Sequence, residues 1–268
     1  MTAVVAATGL PSSAGVHLGR VLRSEWGKSW GLRSTRWAVA ATVAINASMA
    51  LLMSLDSLVG AEGYGNSLAY VVAGNFLFAQ LPLLVYGALM GAGEFSTGSA
   101  ASTLSAVPRR GLVLLAKTLT AAGTAAVAAI AAVVVSAAIL LVGPLGPDLH
   151  VALDDGQSVR ILVGGAVTLV LLAVLALGVG ALLRRPLVAI AVMFALGMSE
   201  LALIGADAVA QWLPGHALLA VTALNEFVDL VASMGTTVVG PWGSVGVLGA
   251  WALLALLLAG ARLRRSDV

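Results

Sequence analysis

Apolar residues run through this chain in long blocks, separated by short polar interruptions. Six blocks, at 37–55, 70–92, 117–142, 161–183, 187–206 and 243–261, each approach the ~20 residues an α-helix needs to cross a bilayer. Ahead of them, residues 16–36 follow a different pattern. Leu18, Val21, Leu22, Trp26 and Trp30 recur at helical spacing on one broad face, opposed by Arg20, Ser24 and Lys28. Trp26 and Trp30 together with Lys28 and Arg33 suit an amphipathic helix lying in the headgroup layer. A basic flank of the first span is the alternative, and Glu25 breaks the pattern by falling inside the apolar arc.

The expected fold is an all-α polytopic membrane protein. Residues 1–15 lack the basic start of a signal peptide and are expected to form a disordered cytoplasmic tail, with an interfacial helix over 16–36 and a six-span domain over 37–268. Composition agrees: of 268 residues, 60% are hydrophobic and only 10% charged, against about 25% charged in a soluble domain. Charge placement sets the orientation. With six crossings, every one of the 14 Lys and Arg residues except Arg160 falls on one side. The positive-inside rule therefore places both termini in the cytoplasm of a multi-pass plasma-membrane protein.

The opposite connections are acidic, and the last of them, 207–241, is long. Trp212-Leu213-Pro214-Gly215 breaks it and an apolar run follows, but Glu226 and Asp229 make a full crossing expensive. An outer re-entrant helical segment between spans five and six fits best. Gly87-x-x-x-Gly91 in the second span permits close helix approach.

Few residues offer chemistry. Gly27-Lys28-Ser29 imitates the end of a phosphate-binding loop, but Leu22 stands where that loop needs a glycine. His17, His150 and His216 are scattered, so neither a metal site nor a catalytic residue is expected, and a net charge of +2 gives no reason to expect nucleic acid. Within the spans the polar candidates for a path or gate are Asn46, Asn75, Gln80 and Glu200, with interhelical hydrogen bonding as the competing role.

The longest polar break on the basic side covers 94–110. Glu94-Phe95-Ser96-Thr97-Gly98 leads into a run of small hydroxylated residues that ends at Pro108-Arg109-Arg110, with Lys117 following. Ser96 or Thr97 suits the cap of a short helix and Pro108 its stop. On these residues alone, a short lever and a plain polar loop both remain open.

Two stretches carry a family resemblance. Leu22-Arg23-Ser24-Glu25-Trp26 with Leu32-Arg33-Ser34-Thr35-Arg36-Trp37 resembles the opening of actinobacterial permease subunits of the type-2 ATP-binding-cassette (ABC) exporters. Gly93 to Gly98, followed by Thr103-Leu104-Ser105-Ala106-Val107-Pro108-Arg109-Arg110 and Ala116-Lys117, is similar to that family's segment between spans two and three. Trp212 to Gly215 is similar to its outer element. The chain departs from the pattern at Gly27, where a bulkier residue is expected before Lys28.

The resemblance implies an elbow helix, six spans, a short cytoplasmic coupling helix and an outer re-entrant element. It also implies a noncatalytic permease that pairs with a second copy, identical or paralogous, and with two ABC ATPase subunits that carry the ATP and Mg. Glu94, Phe95, Ser96, Thr97 and Gly98 would touch the ATPase, with Pro108, Arg109 and Arg110 closing the segment and, with Lys117, anchoring the third span. An ion-coupled carrier and a non-transporting membrane scaffold are the alternatives.

Overall fold

The structure is a computed structural model that describes residues 17–56, 68–96, 98, 110–143, 156–198, 207–223 and 239–265. All regular structure among them is helical. The elements are α1 (Leu18–Gly31), α2 (Arg33–Asp56), α3 (Leu68–Gly74), α4 (Phe76–Ser96), α5 (Arg110–Val142), α6 (Gly156–Leu183, with a π-helical turn at Arg160–Gly164), α7 (Pro186–Gly197), α8 (Asp207–Ala210), α9 (His216–Thr222) and α10 (Pro241–Arg265). Five helices, α2, α4, α5, α6 and α10, are long and apolar enough to cross a membrane, which is compatible with a multi-pass membrane protein. α7 is apolar too but only 12 residues long.

The helix expected to be interfacial and the helix expected as the first span are nearly continuous. Leu32 alone, in extended conformation, separates α1 from α2 and donates its N–H to the Ser29 carbonyl. The second span is divided: the helix breaks at Asn75, whose carbonyl accepts from the N–H groups of Phe78 and Ala79. α5 starts at Arg110, well before the block at 117–142, and runs 33 residues. At 1.5 Å per residue it is roughly 50 Å long, more than the ~30 Å of hydrocarbon. Lys117 thus lies two turns inside the helix instead of at its edge. The stretch 99–109, where a coupling helix is expected, lies outside the described residues, as do Thr97, Pro108, Arg109 and Glu200.

α6 is the bundle's central helix, buried almost continuously from Leu172 to Ala181. Its tightest neighbour is α4. Gly87 meets the Ala173 backbone and Gly91 the Leu177 backbone, so closely that a methyl group at either would drive into a carbonyl oxygen. Both pairs advance together along the chain, so α4 and α6 run parallel at backbone-to-backbone contact, as small-residue pairs allow in lipid. On another side of α6, Gly178 packs against Ala255 of α10, and Arg262 donates to the Leu182 carbonyl, so α10 is parallel to α6 as well.

α2 and α5 form a second parallel pair. Glu25, just ahead of α2, meets Lys117 near the start of α5, while Ser54 touches Gly143 where both helices finish. The core between the two sets is built from Phe76, Leu83, Ala125, Ala129, Leu140 and Leu169. One end of the bundle consequently gathers α1, the start of α5, the end of α4, the α6–α7 turn and the end of α10. At the opposite end Arg160 donates to the Ala223 carbonyl and Trp251 Nε1 to the Trp212 carbonyl at 2.9 Å.

Candidate functional site: a charge ring at the basic end

The tryptophans of α1 are only partly buried. Its buried stripe is Val21, Glu25 and Ser29, four residues apart and therefore on one face. Trp26 is 39% exposed, its rim lying over Gly123 of α5, where a side chain would collide with the indole. Trp30 stacks at a tilt on Trp26 with ring centroids 5.9 Å apart. Glu25, the residue that breaks the amphipathic pattern, is 3% exposed and points into the protein.

Three side chains, Lys28, Glu94 and Lys117, join it to form a ring drawn from three helices. Glu25 Oε1 accepts from Lys28 Nζ at 2.7 Å, and Oε2 from Lys117 Nζ at 2.7 Å. Lys117 also donates to Glu94 Oε1 at 2.9 Å, and Lys28 stands 3.8 Å from that same oxygen. Acids and bases alternate around this ring and its formal charge is zero. Lys117 is its pivot, because it alone bonds at short range to both carboxylates. A buried charge is tolerated when paired and hydrogen-bonded, and both Glu25 oxygens are so occupied. Burial opposes the ionised form of Glu25, but the ammonium groups of Lys117 and then Lys28 outweigh it and hold its carboxyl below the usual 4.5.

A hydroxyl network continues from the ring into the bundle. The hydroxyls of Ser29 and Tyr86 share a hydrogen bond at 3.0 Å, Ser29 and Thr35 lie 3.4 Å apart, and Tyr86 donates to Met90 Sδ at 3.2 Å. Beside these groups is an open cavity of about 500 Å³, lined among others by Glu25, Lys28, Tyr86, Met90, Glu94 and Lys117.

The last turn of α4 is gripped from its other side too. Phe95 lies under the Arg184 guanidinium, 4.6 Å from ring centre to Cζ, a cation–π contact. Arg184 caps α6 in the left-handed conformation with φ 58°. Ser96 closes the turn by donating to the Gly93 carbonyl at 2.8 Å, so its hydroxyl serves α4, and Gly98 follows with φ 74°. Arg110 opens α5 and donates to the Leu263 carbonyl of α10 at 2.6 Å.

Of the residues singled out in the sequence, Glu94, Phe95, Lys28 and Trp30 are therefore brought together at this end, joined by Arg110 from the start of α5. Arg33 opens α2 beside them and is exposed. The polar span residues are elsewhere. Asn75 donates to the Val71 carbonyl and Gln80 to the Leu77 carbonyl, both at 2.9 Å, so each serves its own helix backbone. Asn46 is fully buried, and neither its Nδ2 nor its Oδ1 has a hydrogen-bond partner among the described residues.

Glu25, Ser29, Tyr86 and Arg184 belong to the site without having been read as such. The legible signal was Glu25 itself, a carboxylate in an apolar arc. No group of three or more His, Cys, Asp or Glu side chains that would hold a metal occurs among the described residues. Comparison of the chain with models of known protein families and with curated proteins returns no match.

Proposed function

We propose that this chain is the noncatalytic permease subunit of an ABC exporter, and that force from separate ATPase subunits enters it at the end of α4. The observation that carries this reading is the two-sided grip on that end. Glu94 is bonded through Lys117 to α5 and, through Lys117 and Lys28, to Glu25 on α1, while Phe95 is held by Arg184 at the α6–α7 turn. A push on the polar segment after Ser96 then reaches four helices at once and emerges as a rigid-body tilt, because packed helices move as units.

On this reading the basic end is cytoplasmic, ATP and Mg stay in the partner ATPases, and a second permease copy, identical or paralogous, completes the path. Six crossings are supported by connectivity. α6 finishes at the basic end and α10 begins at the opposite end, so the chain between them must return, and α7 supplies the first 12 residues of that return. The short α8 and α9 segments would then belong to an outer re-entrant element.

The test is purification of the tagged full chain from its own membrane in mild detergent, followed by mass spectrometry. A Walker-motif ATPase in stoichiometric amount is expected. A chain that comes out without one, and whose transport outlasts ATP depletion but collapses with the proton gradient, is an ion-coupled carrier instead.

A further inference from the structure

A groove of about 530 Å³ runs along the outside of the bundle between α5 and α10, within the size range of sites that hold small organic ligands. Its floor is low because Gly111 and Gly260 carry no side chains; a Cβ at Gly111 would meet nothing within 4 Å. Leu115 and Leu257 form its walls, 48% and 61% exposed, on faces that look outward from the bundle. At the basic end Arg264 and Arg265 close the groove, both exposed. Nearby, the Arg110 guanidinium is fixed on the Leu263 carbonyl and that of Arg262 on the Leu182 carbonyl, so the backbone under the arginine pair is braced.

From this arrangement we propose that the α5–α10 groove is a binding site for one anionic phospholipid, with an acyl chain along the Leu115–Leu257 trough and the phosphate at Arg264 and Arg265. Three observations favour this occupant. The groove is amphipathic along its length, apolar for most of it and cationic at one end, which is the polarity of a lipid standing in a leaflet. The cationic end is also unopposed within the groove: Arg264 and Arg265 belong to its lining and no carboxylate does. Such a cationic pocket between helices suits anionic headgroups. A second copy of this chain is a poorer fit, because a two-fold contact through this face would set its arginines against one another.

Native mass spectrometry of the detergent-solubilised full chain tests the site, with phosphatidylglycerol as the probe and phosphatidylcholine as the neutral control. Preferential retention of phosphatidylglycerol is expected, on the order of tenfold. The double variant Arg264→Gln, Arg265→Gln should abolish the preference, and Gly260→Leu, which fills the trough and keeps both arginines, should lower retention severalfold. Helical circular dichroism and monodisperse elution establish that each variant is folded, and Gly111→Leu takes the place of Gly260→Leu if the latter is not. Equal retention of the two lipids by the wild type would overturn the proposal. So would phosphatidylglycerol retention that survives filling of the trough, since surface charge alone would then explain it. A shift between monomer and dimer on Gly260→Leu, with lipid binding unchanged, would assign the groove to a second copy and overturn it equally.

Discussion

Two polar regions of this molecule solve the same problem differently. At the basic end, Glu25, Lys28, Glu94 and Lys117 put two full charge pairs into a largely buried ring with alternating signs and short bonds. Between α2 and α5, neutral groups are buried with far less support. Asn46 and Thr42 on α2, and Thr120 and Ser136 on α5, have side-chain atoms without a hydrogen-bond partner among the described residues. Counting back from Ser54 and Gly143, which touch, Asn46 and Ser136 stand at about the same depth. The charged residues gather at the basic end of the bundle, where three elements converge and long side chains reach one another. The neutral residues are short side chains within α2 and α5, where the backbone carbonyls are already used. The lesson is that the more expensive groups are the better satisfied. A charge ring survives burial only when every member has its partner, whereas an unpaired amide costs only a few kcal/mol.

The largest effect should come from breaking the ring at its pivot. Lys117→Met leaves Glu25 buried beside apolar surface and should lower stability by about 3–5 kcal/mol, read as thermal unfolding in detergent. A smaller and opposite effect is expected in the seam. Asn46→Ala removes two polar atoms that lack partners and should leave stability unchanged or raise it by about 1 kcal/mol. A loss above about 2 kcal/mol would show that Asn46 is hydrogen-bonded after all, and the contrast between the regions would close.

Of the two regions, acid should affect the ring and not the neutral seam. The Glu25 carboxyl titrates below its ordinary 4.5 in the folded chain, so its contribution is complete above that value and is lost as pH falls through the depressed one. Glu25→Gln should remove that component of acid destabilisation, and an unchanged acid profile would contradict the assignment. The smallest effect is expected at Lys28, whose side chain is 47% exposed. Lys28→Ala should cost about 1 kcal/mol, less than at Lys117, because the lost ammonium is half exposed and Glu25 keeps its bond to Lys117.

The all-helical, membrane-compatible character was legible because lipid imposes a coarse and strict rule, that a span must be apolar and about 20 residues long. The blocks at 37–55 and 243–261 are enclosed by α2 and α10. Boundaries failed where a charge was neutralised by distant partners. Lys117 reads as an edge in sequence, yet α5 passes through it because Glu25, 92 residues away, and Glu94 accept its hydrogen bonds. The break at Asn75 was hidden for another reason, since its neighbours are uniformly apolar and the side chain's capture of the Val71 carbonyl is a local choice between two allowed bonds. In the site, Glu94 and Phe95 were found through the polar break they open. Glu25 was noticed only as an irregularity, and its pairing across three helices follows from tertiary packing that no spacing encodes.

The central proposal, that motion enters at the end of α4 and passes through the ring, is tested most directly in lipid, in the complex of this chain with the ATPase it is proposed to bind. Permease-dependent ATP hydrolysis should fall by roughly tenfold or more in Glu94→Lys and in Lys117→Met while the ATPase remains bound, since an interaction energy above 1.4 kcal/mol is removed in each. Full stimulation of hydrolysis by both variants, at unchanged assembly, would contradict it.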